Sequence, residues 1–285
     1  MTQITTRRFL QTAAVLAAGI VLAACGKKEE PAPVAPAASA PAPAPAPTVY
    51  AVGTDAAYAP FESQDEKGEI VGFDIDVLKA VAAKAGFEVK FINTPWEGIF
   101  NALGQGDRDI VVSAVTITDE RKQTLDFSEP YFDAAQLIAV RDNSKVAKFA
   151  DLKKLKVGVQ TGTTGDEATT KLLGKTNTNI KRFESTPLAL KELESGGVDA
   201  VVADNGVVIH HVANNPGAKF KTISDKEFAP EHYGIAVKKG NTALLEKINQ
   251  GLAAIKADGT YDQIYAKYFG AAPAKAEAPA SAASN

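Results

Sequence analysis

Asp109-Ile110-Val111-Val112-Ser113-Ala114-Val115-Thr116-Ile117-Thr118-Asp119-Glu120-Arg121 carries an apolar run into a polar turn. Asp109 to Val112 reads as a buried strand, a short β-branched run bounded by polar residues. Thr118 suits a helix N-cap, and Asp119 and Glu120 suit a first helical turn. Arg121 opposes the dipole of such a helix, which points to an anion as its partner. Backbone N–H groups at a helix start, the hydroxyls of Ser113 and Thr116 and one guanidinium would hold a small carboxylate. The stretch suits a surface arginine after an ordinary strand-turn equally well.

The run that leads into it occurs twice. Leu103-Gly104-Gln105-Gly106-Asp107-Arg108-Asp109-Ile110-Val111-Val112 is a helix end, a glycine turn, an aspartate and a buried strand. Leu193-Glu194-Ser195-Gly196-Gly197-Val198-Asp199-Ala200-Val201-Val202 repeats that order and the Leu-to-Asp spacing. In this register Ala114 falls opposite Asp204. Two βα halves, each ending a strand at the same point, predict an α/β protein of two similar lobes facing one cleft, where ligands meet strand ends.

Outward from the repeat, strands and helices alternate. Val49 to Gly53 is a strand, and Thr54 to Glu62 a loop rich in aromatic and acidic groups. A helix opens at Gly72-Phe73-Asp74-Ile75-Asp76-Val77 and stops at Gly86; Asp74 and Asp76 fit its favourable end. Val89 to Ile92 is the next strand, and Trp96 begins a helix ending at Gly104. Beyond Tyr131-Phe132, strands are expected at 136–140, 156–159, 198–203 and 233–237. Gln160-Thr161-Gly162-Thr163-Thr164-Gly165 leads into a helix from Asp166 and reads as an N-cap turn, with no Gly-Lys-Ser/Thr to make it a P-loop. Thr186-Pro187 starts another helix. Two amphipathic helices, 242–256 and 260–269, close the fold.

The first 47 residues are of another kind. Arg7 and Arg8 precede an apolar run, Ala13 to Ala24, too short to span a bilayer as a mature helix. It ends Leu22-Ala23-Ala24-Cys25, which resembles the lipobox of bacterial lipoproteins, whose cysteine is lipidated and becomes residue one. Cys25 is the single cysteine of the chain, so no disulfide is expected. Residues 26–47 are repeated Ala-Pro after Lys27-Lys28-Glu29-Glu30, a tether that cannot bury enough apolar surface to fold; 271–285 is similar. A net charge of −3 argues against nucleic acid as partner. His210, His211 and His232 lack the spacing of a metal site and read as solvated surface groups, and no cofactor is expected.

Five motifs in order resemble one known family. They are Gly53-Thr54-Asp55…Tyr58-Ala59-Pro60-Phe61-Glu62, Gly72-Phe73-Asp74-Ile75-Asp76-Val77, Thr116-Ile117-Thr118…Arg121, Val157-Gly158-Val159…Gly162-Thr163-Thr164 and Asp258-Gly259-Thr260-Tyr261. Together they are similar to the polar amino-acid family of bacterial extracellular solute-binding proteins, family 3, over Val49 to Gly270. The resemblance implies a two-lobed periplasmic-binding-protein fold (type II), the lobes joined by two crossing strands. It implies lobe 1 at 48–130 and 234–270, lobe 2 at 136–228, and a hinge at 131–135 and 229–233. By position, Arg121 matches the arginine that grips the ligand carboxylate, helped by amides near Thr116 and Thr164. Asp204 matches the acid that receives the ammonium, and Asp55 the acid that meets the ligand side chain. Tyr58 and Trp96 match the aromatic pair around that side chain, Ser113 and Ala114 the positions at the ammonium, and Gln160 a variable specificity position. The position of Ala114 is often glycine or serine in the family.

The resulting expectation is a monomeric, lipid-anchored protein on the periplasmic or cell-surface side. It captures a polar amino acid and delivers it to the permease subunits of an ABC importer. Asp55 among neutral neighbours places glutamine first, histidine or basic amino acids next, and acidic ones last. Two other readings attach to the same fold. One is a sensor module. The other is a periplasmic dehydratase acting on prephenate or arogenate, which needs a cleft carboxylic acid beyond the binding set.

Overall fold

The computed structural model describes residues 47–270; Cys25, the signal-like segment, the Ala-Pro tether and the tail from 271 lie outside the described residues. In chain order come β1 (Val49–Thr54), β2 (Ala57–Tyr58), β3 (Glu62–Gln64), β4 (Ile70–Val71), α1 (Phe73–Ala85), β5 (Glu88–Asn93), α2 (Trp96–Gln105), β6 (Ile110–Val111), β7 (Leu125–Phe127) and β8 (Phe132–Ala134). They are followed by β9 (Gln136–Arg141), β10 (Val157–Gln160), α3 (Thr164–Leu173), β11 (Ile180–Phe183), α4 (Thr186–Ser195), β12 (Ala200–Asp204), α5 (Asn205–Asn214), β13 (Phe220–Ile223), β14 (Glu231–Tyr233), β15 (Ala236–Lys238), α6 (Thr242–Ala257) and α7 (Thr260–Phe269).

Two five-stranded sheets result, in the orders β5-β1-β6-β15-β7 and β11-β10-β12-β9-β13. In each, one strand, β15 or β9, runs against the other four. The inner strands β9, β10 and β12 of the second sheet are buried almost throughout because both of its faces are covered. Ile138 and Val140 face one apolar cluster, while Leu137 and Ala139 face another with Leu190 and Leu193 of α4. In the first lobe, α1 packs on α6, and Val77, Val81, Ile248, Leu252 and Ile255 share one cluster. Gly251 permits that approach, since a Cβ there would lie 2.5 Å from the Val81 carbonyl oxygen. The chain crosses between the sheets twice, through β8 and β14, which pair antiparallel with Tyr233 opposite Phe132.

The repeat seen in the sequence is a structural one. Both helices end on a left-handed glycine, Gly106 (φ 89°) and Gly196 (φ 87°), whose N–H caps the last helical carbonyls. Asp109 and Asp199 then each accept from an amide at or near the start of the neighbouring strand, Ala51 N at 2.8 Å and Lys156 N at 2.9 Å.

Several expectations are corrected. No α-helix follows Thr118: there is only a three-residue 3-10 turn, Arg121–Gln123, with the Thr118 hydroxyl accepting from Arg121 N at 3.1 Å. So short a turn has no dipole worth opposing, and Arg121 is placed by its own contacts. The loop 54–62 contains β2 and the start of β3, which form a small sheet with β4. The helix from Trp96 runs past Gly104 to Gln105, because the chain turns left-handed only at Gly106. The strand expected at 233–237 is two strands: Tyr233 pairs with β8 and Ala236 with the first sheet, so the ladder breaks at Gly234-Ile235. Helix α3 begins at Thr164, not Asp166, with Thr163 as N-cap.

Candidate functional site

Parallel strands deliver the polar residues to one place. Asp55 follows β1, Ser113 and Ala114 follow β6, Gln160 ends β10 and Asp204 ends β12. All lie at carboxyl ends of strands, the edge at which open α/β sheets bind ligands. The cleft there is lined by the ten residues expected from sequence: Asp55, Tyr58, Trp96, Ser113, Ala114, Thr116, Arg121, Gln160, Thr164 and Asp204. Two more line it that the sequence did not point out, Glu62 and Thr163.

Arg121 is held before any ligand is considered. One terminal nitrogen donates to the Thr116 carbonyl at 2.9 Å, the other reaches the Gly162 carbonyl at 3.4 Å. Its guanidinium lies over the rings of Trp96 (5.3 Å) and Phe100 (5.4 Å). Burial lowers its pKa, with Glu167 and Asp204 acting the other way, and so high a starting value leaves it charged. Thr164 opens α3, so its N–H is one of the four with no acceptor inside the helix.

Across the cleft, Asp204 is buried and collects donors. Tyr58 Oη donates to its Oδ2 at 2.9 Å and Tyr233 Oη at 2.5 Å, while the amide of Gln136, its partner in the β9–β12 register, donates to Oδ1. Burial pushes its pKa up to about 6, and Glu231 adds to the rise. Asp55 accepts from Gln160 Nε2 at 3.2 Å; Gln160 is aimed by Thr186, whose N–H and hydroxyl both donate to its Oε1. Burial raises the Asp55 pKa as well.

Ala114 has a left-handed backbone (φ 45°), a conformation natural for glycine. Its N–H points back into the protein and donates to Asp74 Oδ2 at 2.7 Å. Asp74 therefore does more than favour a helix start: it is fully buried, and it also accepts from Tyr131 Oη at 2.7 Å. Asp76 pairs with Lys267 instead. Glu62 is fully buried and accepts from the Ser113 hydroxyl at 2.8 Å. A signal for Glu62 exists in the sequence. Tyr58-Ala59-Pro60-Phe61-Glu62 is a tight hairpin in which Glu62 pairs with Tyr58, so both can face the cleft. Glu231, on the return crossing, accepts from Thr116 of one lobe (2.7 Å) and Thr164 of the other (3.0 Å).

The histidines stand apart. His232 bonds Asp133 at 2.7 Å, whereas His210 and His211 are half-buried beside Pro187 and Leu190, less exposed than expected. Among the described residues no His, Cys, Asp and Glu cluster is arranged to hold a metal ion.

Residues 50–271 match the family described as bacterial extracellular solute-binding proteins, family 3. A probable histidine-binding protein of Neisseria gonorrhoeae is 46% identical over 260 residues, covering 90% of this chain and 94% of its own. Among solved structures, the arginine-, lysine-, histidine-binding protein ArtJ from Geobacillus stearothermophilus is 46% identical with a TM-score of 0.77, covering 79% of this chain and 96% of that one. An ancestral arginine-binding protein bound to glutamine is 47% identical with a TM-score of 0.73, covering 78% and 98%.

Proposed function

The chain belongs to family 3 of the bacterial extracellular solute-binding proteins, and from that premise we propose that it captures a cationic amino acid outside the cytoplasm and delivers it to an ABC importer. The observation that carries the ligand class is Glu62. With Asp55 it gives the side-chain end of the cleft two carboxyl groups, while the Gln160 amide is occupied by Thr186 and Asp55. A guanidinium, ammonium or imidazolium meets both acids; a ligand carboxylate meets no cation there and is repelled by Asp55. The glutamine-first order followed from Asp55 alone, and with Glu62 in the wall arginine, lysine and histidine move ahead of glutamine. The names of the similar proteins, histidine-binding and arginine-, lysine-, histidine-binding, are in keeping with this order.

In this reading Arg121 takes the α-carboxylate from one lobe and Asp204 the α-ammonium from the other. Closure about 131–135 and 229–233 then depends on the ligand. Tyr58 and Trp96 flank its side chain, and Ser113 and Ala114 lie at its ammonium. Cys25 anchors a monomer to the membrane through the Ala-Pro tether, so that the loaded domain reaches the permease subunits. A thermal-shift screen of the twenty amino acids tests the ligand class, because a ligand that binds only the native state raises Tm. The expected result is arginine, lysine or histidine highest and glutamate without effect. Glutamate alone stabilising would refute it.

A second reading has one observation in its favour. The dehydratase alternative requires a cleft acid beyond the binding set, and Glu62, whose pKa burial raises, is such an acid. Incubation with prephenate or arogenate, followed for product, separates the two; turnover would establish the enzyme.

A further inference from the structure

Two buried carboxyl groups, Glu62 in the cleft wall and Asp74 behind it, are brought together by the backbone. The N–H groups that open α1 donate into the preceding turn, Phe73 N to the Pro60 carbonyl (2.9 Å) and Asp74 N to the Phe61 carbonyl (3.0 Å). Gly72 (φ 143°) makes this possible, since a Cβ there would lie 2.0 Å from the Phe61 carbonyl oxygen. The turn thus seats Glu62 beside Asp74, and neither is exposed at all.

Each carboxyl has one satisfied oxygen and one orphan. Glu62 Oε1 accepts from Ser113, and Asp74 Oδ2 accepts from Ala114 N and Tyr131 Oη. Glu62 Oε2 and Asp74 Oδ1 are buried without a donor, although the two carboxyl groups are within hydrogen-bonding reach of each other. Two carboxylate oxygens cannot bond one another without a proton, and a single proton between them satisfies both. The groups facing the pair are Asp55 after β1, Tyr58 on β2, Ser113 after β6 and Tyr131 before β8, all acidic or neutral. Burial pushes Asp74 up to about 6, against the hydrogen bonds of Ala114, Tyr131 and Glu62, and pushes Glu62 well above the usual carboxylate range, where the Asp74 charge raises it further.

We infer that Glu62 and Asp74 share one proton in the free protein, and that a cationic side chain entering beside Glu62 expels it to solvent. The pair then carries one negative charge beside a neutral amino acid and two beside a cation. In the exchange the Glu62–Asp74 hydrogen bond breaks, the proton passes to water, and Glu62 pairs with the ligand cation. Asp74 keeps the Ala114 amide and the Tyr131 hydroxyl. This rests on the cationic-ligand reading for its second half alone; the shared proton stands on the pair itself.

Calorimetry of the purified protein at pH 7, in buffers of different ionisation enthalpy, counts the protons released on binding arginine and glutamine. Asp204 and the α-groups contribute equally to both ligands and cancel. The expected result is about one proton more for arginine, so that its affinity relative to glutamine rises about tenfold per pH unit where the pair is protonated. Equal proton counts overturn the proposal. In Asp74→Asn an amide N–H takes the place of the shared proton, and the release with arginine falls to that with glutamine. Infrared difference spectroscopy of the ligand-free protein decides the pair independently. A protonated-carboxyl band at neutral pH, lost in Glu62→Gln, supports it, and a wild type without that band refutes it even if Asp74→Asn fails to fold. If no cationic amino acid binds, the ligand reading fails while the band still tests the proton.

Discussion

Replacing Arg121 with alanine tests the carboxylate clamp most directly. A guanidinium has five N–H donors. Arg121 spends one on the Thr116 carbonyl and one on the Gly162 carbonyl, which leaves enough for a two-point grip on a carboxylate. Two charge-assisted hydrogen bonds at about 1.5–3 kcal/mol each set the scale. Non-additivity and partial exposure bring the expected loss to about 2–5 kcal/mol. That is roughly thirtyfold to several thousandfold in Kd. The fold should survive, because the substitution removes from the protein itself two hydrogen bonds to carbonyls and the stacking on Trp96 and Phe100, worth about 1 kcal/mol each. Arg121→Lys keeps the charge without the planar fork and should recover part of the loss. Titration calorimetry, on variants whose circular dichroism and Tm show them folded, measures both. A folded Arg121→Ala protein that binds within about threefold of the wild type would remove Arg121 from the site.

Other outcomes follow from the same geometry. Asp204 has its pKa raised to about 6 and must be ionised to receive an ammonium, so affinity for every amino acid should fall as pH drops below about 6; a flat profile from about pH 7 to 5 would contradict this. The stability effect has the opposite sign: a raised carboxyl binds its proton more tightly in the folded state, so its contribution is full below the ordinary Asp value and is lost as pH rises through about 6. Glu231→Gln weakens a carboxylate that both lobes' threonines share, and should lower affinity for all ligands by a similar factor, a change in their ranking arguing against a role in closure. Gly251→Val forces a side chain into the Val81 carbonyl and should cost about 1–3 kcal/mol of stability, read as a lower Tm with binding retained. Cys25→Ser should release a soluble domain in membrane fractionation, and retention in the membrane would refute the anchor.

The sequence by itself determined the architecture and pointed to the residues that line the cleft. Its two Leu-to-Asp runs specified two βα halves, because the left-handed glycine that ends each helix is a local device, and the aspartate that follows ties each half to its neighbouring strand. Arg121 and Asp204 were marked by the resemblance to the family, and both line the cleft, Asp204 from the end of β12 and Arg121 from the 3-10 turn beyond β6. Segment ends were blurred where the partner strand decides them, as at Gly234-Ile235, where one apolar run serves two sheets. The tertiary structure alone decided what the acids are. Asp74 looked like a helix-start charge and Glu62 like one more polar residue after an aromatic. Only the turn that lays Phe61 against Gly72 buries both and brings them together. A carboxyl group's charge depends on its solvent and its neighbours, and neither is written in its position along the chain.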